Sequence, residues 1–354
     1  MRFITQWFKH HFSDPGVVFL AMFLVISFAV VITMGNMLTP VLGSIVIAYL
    51  LEGVVVRLEQ RRFPRMAAVW LVYLLFLVFV TVLVFGLLPT LSRQITQLFQ
   101  QLPTMISKGQ QVLMQLPDRY PEVFTVEQVQ EMMGVIRQEI AEFGQTVVSV
   151  SLASVVDVIT ILVYVVLMPM LVFFFMKDKQ LIVDWALGFM PQNRKLATTV
   201  WYEVDLQVAN YVRGKFIEII IVWSATFVVF VLFGLEYAML LGMLVGLSVI
   251  IPYIGATVVT IPVVMIAWFQ WGWSGDFVWL TVTFLIIQAL DGYVLVPLLF
   301  SEVVNLHPVA IIVAILVFGG FWGFWGVFFA IPLATLVQAV IRAWPKAALE
   351  ADGD

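Results

Sequence analysis

The 354-residue sequence contains no cysteine, which excludes disulfide frameworks, cysteine-ligated zinc, iron–sulfur clusters and thiol nucleophiles. Its 3 histidines cannot supply an HExxH zinc motif. A Walker-type phosphate loop is also missing, because Phe216 follows Gly214-Lys215 and Ala209 stands where the motif requires its first glycine. We therefore expect no metal, no cofactor and no transport powered by ATP hydrolysis within this chain.

Charged residues are scarce: they make up 11% of the chain, and 18 Lys+Arg against 22 Asp+Glu give a net charge of −4. That balance offers no basic surface, so no nucleic-acid partner is expected. Hydrophobic residues make up 62% of the sequence and the mean hydropathy is +1.05, whereas soluble domains are roughly 45–50% apolar and about 25% charged. The composition predicts an all-α polytopic membrane protein in contact with the lipid bilayer.

Long uncharged runs locate the membrane helices, since a hydrocarbon core about 30 Å thick requires roughly 20 apolar residues. Six runs fit one span each: 17–34, 37–51, 66–88, 155–176, 216–233 and 277–300. Only Gly35-Asn36 separates the first two runs, which predicts a tight helical hairpin there. Two longer runs, 238–271 and 308–341, each contain a break. We predict about eight transmembrane helices with discontinuous or re-entrant segments in the C-terminal half; the alternative is six spans plus two re-entrant hairpins.

The positive charges predict the orientation of the chain. If the amino terminus is cytoplasmic, 14 of the 18 Lys and Arg residues lie on the inner side, as the positive-inside rule requires. Both termini are then cytoplasmic. The predicted divisions are 1–88 (membrane helices one to three), 89–154 (an extracytoplasmic amphipathic segment), 155–176 (helix four), 177–215 (a cytoplasmic helical segment divided by Pro191) and 216–354 (helices five to eight). The apolar stripes of 89–154 are typical of helices that lie on the bilayer or pack on a neighbouring subunit.

The run 238–271 contains the sequence Pro252-Tyr253-Ile254-Gly255 near its middle. As one helix it would be about 51 Å long, too long for one span and too short for two. Proline removes a backbone donor and glycine tolerates a turn, so we expect the helix to break at these residues. Transporters use such broken helices as binding sites; the alternative is a simple proline kink.

Glycines recur at helical spacing in both long runs. Gly319, Gly323 and Gly326 are predicted to share one face of a helix, and Gly242 and Gly246 repeat the pattern in the preceding run. Small residues at this spacing allow helices to pack closely. The alternative is a hinge or sliding surface used in alternating access.

Asp291 is the strongest single candidate for function. It lies near the middle of the run 277–300, one helical turn after Gln288. A charge at that depth costs roughly 2.5–3.5 kcal/mol, so such residues usually face the protein interior and have a role. No Lys or Arg occurs in residues 216–341. Asp291 must therefore be protonated, bind a cation, hydrogen-bond polar groups as a structural residue, or meet a cation from elsewhere in the fold.

Two other polar residues of the C-terminal half have simpler interpretations. Glu218 follows Arg213 and Lys215 closely, which predicts a salt bridge at the membrane edge. His307 precedes Pro308, a residue suited to the first position of a helix. His307 is therefore expected to cap that helix or lie in the loop.

Several short motifs, taken in order, resemble the autoinducer-2 exporter family, also called PerM-like permeases. The matching pieces are residues 173–178 (FFFMKD), Tyr211-Val212-Arg213-Gly214, residues 251–255 (IPYIG), Pro297, residues 306–308 (LHP), Gly319-Gly320, Gly323, Gly326 and residues 331–334 (IPLA). The chain departs from the family pattern at Lys215, where Gln is frequent, and at Ala256, where Pro is frequent. The resemblance implies a transporter that forms homo-oligomers, with a pentamer as one form. It also implies relatives that transport either a furanone signal or sodium and protons.

Two hypotheses of function follow. The first is an inner-membrane secondary transporter that exports a small polar solute of autoinducer-2 type, or exchanges a monovalent cation for protons. Its pathway would lie near Asp291, the break at Pro252 to Gly255 and the Tyr211 to Gly214 motif. The second is an oligomeric channel or non-transporting membrane scaffold, in which Asp291 only holds helices together. The sequence has no paired membrane aspartate motif, so an enzyme is not expected.

Overall fold

A computed structural model describes residues 15–115, 117, 125–131, 133–135, 138, 154–188, 195–252, 254–300 and 306–343. These residues form helices and connecting turns, with no β-strand among them. In chain order the helices are α1 (Pro15–Gln60), α2 (Arg65–Val82), α3 (Leu88–Met114), α4 (Ser154–Lys177), α5 (Lys179–Leu187), α6 (Lys195–Phe233), α7 (Ala238–Ser248), α8 (Ile254–Trp271), α9 (Gly275–Leu290), α10 (Val296–Phe300), α11 (Pro308–Phe328) and α12 (Ala330–Ala343).

Six helical segments in the described ranges are long and apolar enough to cross a membrane. They are Met37–Gln60, Arg65–Met114, Asp205–Phe233, Ile254–Trp271, Gly275–Phe300 and Pro308–Phe328. Three shorter apolar helices accompany them: Tyr164–Lys177, Ala238–Ser248 and Ala330–Val340. The predicted class, an all-α polytopic membrane protein, is confirmed.

The predicted hairpin at Gly35-Asn36 is wrong, because α1 runs through both residues as one helix of 46 residues. Neither residue lacks a backbone N–H, so neither interrupts the helical hydrogen bonds. Pro40 also lies inside α1. The Ser44 hydroxyl donates a 2.6 Å hydrogen bond to the Pro40 carbonyl, four residues earlier on α1.

The amphipathic segment continues directly from a membrane helix. A π-helical turn (Leu83–Leu87) joins α2 to α3. The apolar stripe of α3 packs on its own chain, since Leu91 is buried among residues of α7, α8 and α9. The Gln94 amide oxygen accepts a 2.8 Å hydrogen bond from the Leu240 N–H at the start of α7. The described part of this stripe therefore contacts the C-terminal helices rather than only the bilayer or a neighbouring subunit.

The long helix α6 organises the C-terminal half. Its residues Val222 and Phe230 are buried with α7, α8 and α9, whereas Tyr211 and Val212 are buried with α10, α11 and α12. A separate apolar core joins α1, α2 and α4. The helix ends at Gly234, whose φ of +72° favours glycine. One helix thus links the two C-terminal cores.

Both predicted breaks are present, and each reverses the chain direction. At the first break, a Cβ on Gly255 would collide with the Ser248 carbonyl. At the second, Gly323 has non-helical angles (φ 57°, ψ −134°), and a Cβ on Gly326 would collide with the Phe318 carbonyl. Residues seven or eight positions apart lie about 10–12 Å apart along a straight helix. Each long run therefore folds back on itself at its break.

The two glycine patterns have different outcomes. The shared helical face of Gly319, Gly323 and Gly326 is wrong, because the helix does not continue through Gly323. Gly242 and Gly246 do pack closely against α6: a Cβ on Gly246 would lie 2.6 Å from the Trp223 Cβ. Close helix packing through small residues is therefore confirmed for α7 on α6.

Candidate functional site

A buried ion pair lies at the centre of the C-terminal half. The Lys215 ammonium is 2.7 Å from the Glu218 carboxylate, one turn further along α6, and the two side chains are 5% and 2% exposed. The predicted salt bridge is confirmed with Lys215 as the partner of Glu218. Its burial is the unexpected part, since a pair at a membrane edge would remain in contact with water.

Lys215 also binds the end of a broken helix. Its ammonium donates a 2.8 Å hydrogen bond to the Val249 carbonyl, directly after α7 ends at Ser248. The last carbonyls of a helix have no partner within that helix and carry partial negative charge. The ammonium lies 5.1 Å from the centre of the Phe300 ring, within range of a cation–π interaction. Lys215 therefore joins a carboxylate, a helix end and an aromatic face.

Asp291 begins a π-helical turn (Asp291–Leu295) that packs against α6, the helix that carries this pair. It interacts electrostatically with both Lys215 and Glu218. In the described part of the chain, no hydrogen bond reaches the buried Oδ1 atom of Asp291 or the buried side-chain nitrogen of Gln288. Single π-turns inside helices occur frequently at functional sites. The sequence prediction that Asp291 meets a cation from elsewhere in the fold is consistent with this arrangement.

The Tyr211 to Gly214 motif precedes the pair on α6 and holds neighbouring helices in place. The Tyr211 hydroxyl donates a 3.3 Å hydrogen bond to the Phe328 carbonyl at the end of α11. A Cβ on Gly214 would lie 2.8 Å from the Phe300 ring. Arg213 is exposed and its guanidinium lies 5.9 Å from the centre of the Tyr49 ring on α1. Arg213 thus belongs to the contact between α6 and α1.

The remaining predicted site residues lie around this centre or outside it. Pro252 lies in the turn between α7 and α8, near the carbonyl that Lys215 contacts, whereas Tyr253 is outside the described residues. Pro297 is exposed on α10. His307 caps α11, because its Nδ1 accepts a 3.3 Å hydrogen bond from the Val309 N–H. The capping prediction is confirmed, and this contact serves the helix rather than the ion pair.

Sequence reasoning missed Phe300 and the Val249 carbonyl, and it placed Lys215 at the edge of a span. The Lys215 side chain was visible as the last positive charge before a 126-residue stretch without Lys or Arg. Its contact with Val249 joins residues that are 34 positions apart. Periodicity and charge counts carry no information about such a contact.

Comparison with known proteins decides the family. The family model described as AI-2E family transporter matches residues 18–346 of this chain. The chain belongs to the AI-2E family. The resemblance drawn from the short motifs is therefore confirmed over nearly the whole sequence.

Relatives within the AI-2E family are described as permeases or transport proteins. The putative permease PerM of Escherichia coli (strain K12) is 46% identical over 345 residues, which cover 98% of this chain and 98% of PerM. The putative transport protein YueF of Bacillus subtilis (strain 168) is 28% identical over 298 residues, or 83% of this chain and 80% of YueF. Membership of the AI-2E family, together with the apolar helices, identifies a multi-pass membrane protein of the permease class.

Proposed function

We propose that this AI-2E family member is a secondary transporter of the bacterial inner membrane in which Asp291 carries the coupling proton. The cargo is a small polar solute of autoinducer-2 type that is exported, or a monovalent cation exchanged for protons. The observation that carries this proposal is a carboxylate oxygen of Asp291 that is buried and has no hydrogen-bond partner among the described residues. It lies on a π-turn that packs against α6, the helix of the buried Lys215–Glu218 pair.

The charges at the centre are unbalanced when all three groups are ionised. Lys215 supplies one positive charge, and Glu218 and Asp291 supply two negative charges. A net negative charge at membrane depth is unfavourable by roughly 2.5–3.5 kcal/mol. Binding of one proton at Asp291 removes it. Release and uptake of that proton would accompany conformational change, which is the requirement for coupling.

The two helical hairpins provide elements that can move around this centre. Alternating access requires one group of helices to rock against another around a central site. The turn between α7 and α8 is tied to α6 by the bond from Lys215 to Val249. The turn at Gly323 is tied to α6 through the bond from Tyr211 to Phe328. We propose that both hairpins move when the charge of this centre changes, because these two bonds connect them to α6.

The orientation and assembly of the transporter are part of the same proposal. Because α1 is one continuous helix through Gly35-Asn36, the Lys and Arg count made for two N-terminal spans does not carry over, and cytoplasmic termini stay a prediction of the sequence. Large apolar side chains remain exposed on the single chain, among them Leu298 at 73% and Trp279 at 67%. Such side chains suit contact with lipid or with neighbouring subunits of a homo-oligomer, a pentamer being one form.

The test is flux into liposomes that contain the purified protein, with and without an imposed pH gradient. Labelled neutral polar solutes and labelled monovalent cations are screened as cargo. We expect wild-type flux to follow the gradient and Asp291→Asn flux to be independent of it. The control Asp276→Asn removes an exposed carboxylate from the first turn of α9 and should behave as wild type. Flux that ignores the gradient in all three proteins would favour the channel hypothesis.

A further inference from the structure

The surroundings of the Lys215 ammonium are those of a cation site. They comprise a carboxylate at 2.7 Å, a main-chain carbonyl at 2.8 Å and an aromatic ring whose centre lies 5.1 Å away. In transporters with broken helices, unwound carbonyls and C-terminal helix ends coordinate the coupling cation. Val249 occupies such a position, because α7 ends at the preceding residue.

We propose that Lys215 is a tethered cation that takes the place of a bound metal ion, so that this site operates without sodium. The Glu218 carboxylate and the Val249 carbonyl, two oxygen ligands that a sodium ion would use, already contact the ammonium. The ammonium is covalently held, so it can change partners but cannot cross the membrane. This inference rests on the proposed transport function, because it identifies the coupling ion of that same site as the proton.

Among the described residues, Lys215 is the one cation that contacts this centre. Arg213, on the same helix, points to the Tyr49 ring of α1. Glu218 and Asp291 are the acidic groups that interact with Lys215. Removing the ammonium would leave the Glu218 carboxylate and the Val249 carbonyl without the cation that they contact. Oxygen ligands of this kind suit a hard cation, so a variant without Lys215 should gain a sodium site.

The experiment measures the melting temperature of the full-length protein in detergent, in sodium, potassium and choline chloride at equal ionic strength. Wild type should melt at the same temperature in all three salts. Lys215→Ala should melt lower than wild type in choline, and its melting temperature should rise with the logarithm of the sodium concentration. The control Lys108→Ala removes an exposed lysine of α3 and should show no such rise.

A double variant tests whether the carboxylate is a ligand. Adding Glu218→Gln to Lys215→Ala should abolish the sodium-dependent rise. Lys215→Gln provides a second variant if the alanine variant does not fold, and it should also gain sodium dependence. A sodium-dependent shift in wild type would overturn the proposal, as would variants at Lys215 that melt alike in sodium and choline.

These outcomes are separate from those of the flux assay. The melting experiment requires no cargo and no gradient. Sodium-dependent stability in the Lys215 variants together with gradient-independent wild-type flux would refute proton coupling but uphold the tethered cation. Lys215 variants whose melting temperature does not depend on sodium, together with wild-type flux that follows the pH gradient, would refute the tethered cation and uphold proton coupling.

Discussion

Removal of one partner from the Lys215–Glu218 pair should be among the most destabilising single changes in this protein. Lys215→Met keeps a linear side chain of similar length, so the core stays filled and little room opens for an ion. Glu218 then remains as a charge in a side chain only 2% exposed. Breaking a buried pair in this way costs about 3–5 kcal/mol, because the remaining charge is neither hydrated nor paired.

The assay is equilibrium unfolding in mixed detergent micelles, in sodium-free buffer. The matched control is Lys177→Met, because Lys177 and Asp178 form a pair of 3.8 Å whose side chains are 36% and 37% exposed. Water solvates such a pair, so its loss should cost about 0–1 kcal/mol. The double variant of Lys215→Met with Glu218→Leu should recover most of the stability lost, because neither charge of the pair is left buried. Equal losses for Lys215→Met and Lys177→Met would refute the reasoning.

Three further predictions concern the contacts that hold the helices together. Each is measured as the change in the free energy of unfolding. Gly323→Ala should cost about 1–3 kcal/mol because φ at Gly323 is +57°. The control Gly320→Ala, with open space around it, should be neutral or stabilising by up to about 1 kcal/mol. The opposite order of stabilities would contradict the turn at Gly323. Gly246→Ala should cost about 1–3 kcal/mol through overpacking against α6, and an unchanged stability would mean that α7 does not approach α6 so closely. Glu52→Gln should cost about 1–3 kcal/mol, because the Glu52 carboxylate lies 3.1 Å from Arg65 and 3.2 Å from Lys179 of α5. An unchanged stability would show that these ion pairs do not hold α1 to its neighbours.

The breaks in the C-terminal half could be predicted from the sequence because local chemistry determines them. Pro252 removes a backbone donor and Gly255 permits the close approach to Ser248, and both residues are visible in the sequence. The continuity of α1 could not be predicted from turn signals alone. Gly35-Asn36 permits a turn but does not require one, and an apolar environment favours unbroken helical hydrogen bonds.

The candidate site was predictable in part. Asp291 was identified because a carboxylate inside an apolar run is costly wherever the helix packs. The position of Lys215 depended on tertiary structure: the same residue would reach water if α7 and α10 did not cover it. The glycines of α11 show the same limit, since their spacing suits a helical face, whereas the main-chain conformation at Gly323 reverses the chain.

In the proposed mechanism, Asp291 carries the proton that this transporter moves. The most direct measurement is proton flux into liposomes that contain a pH-sensitive dye, recorded when cargo is added on one side of the membrane. Wild type and Asp276→Asn should move protons with the cargo, and Asp291→Asn should move none. Proton flux of equal size in Asp291→Asn and wild type would show that Asp291 is not the proton carrier.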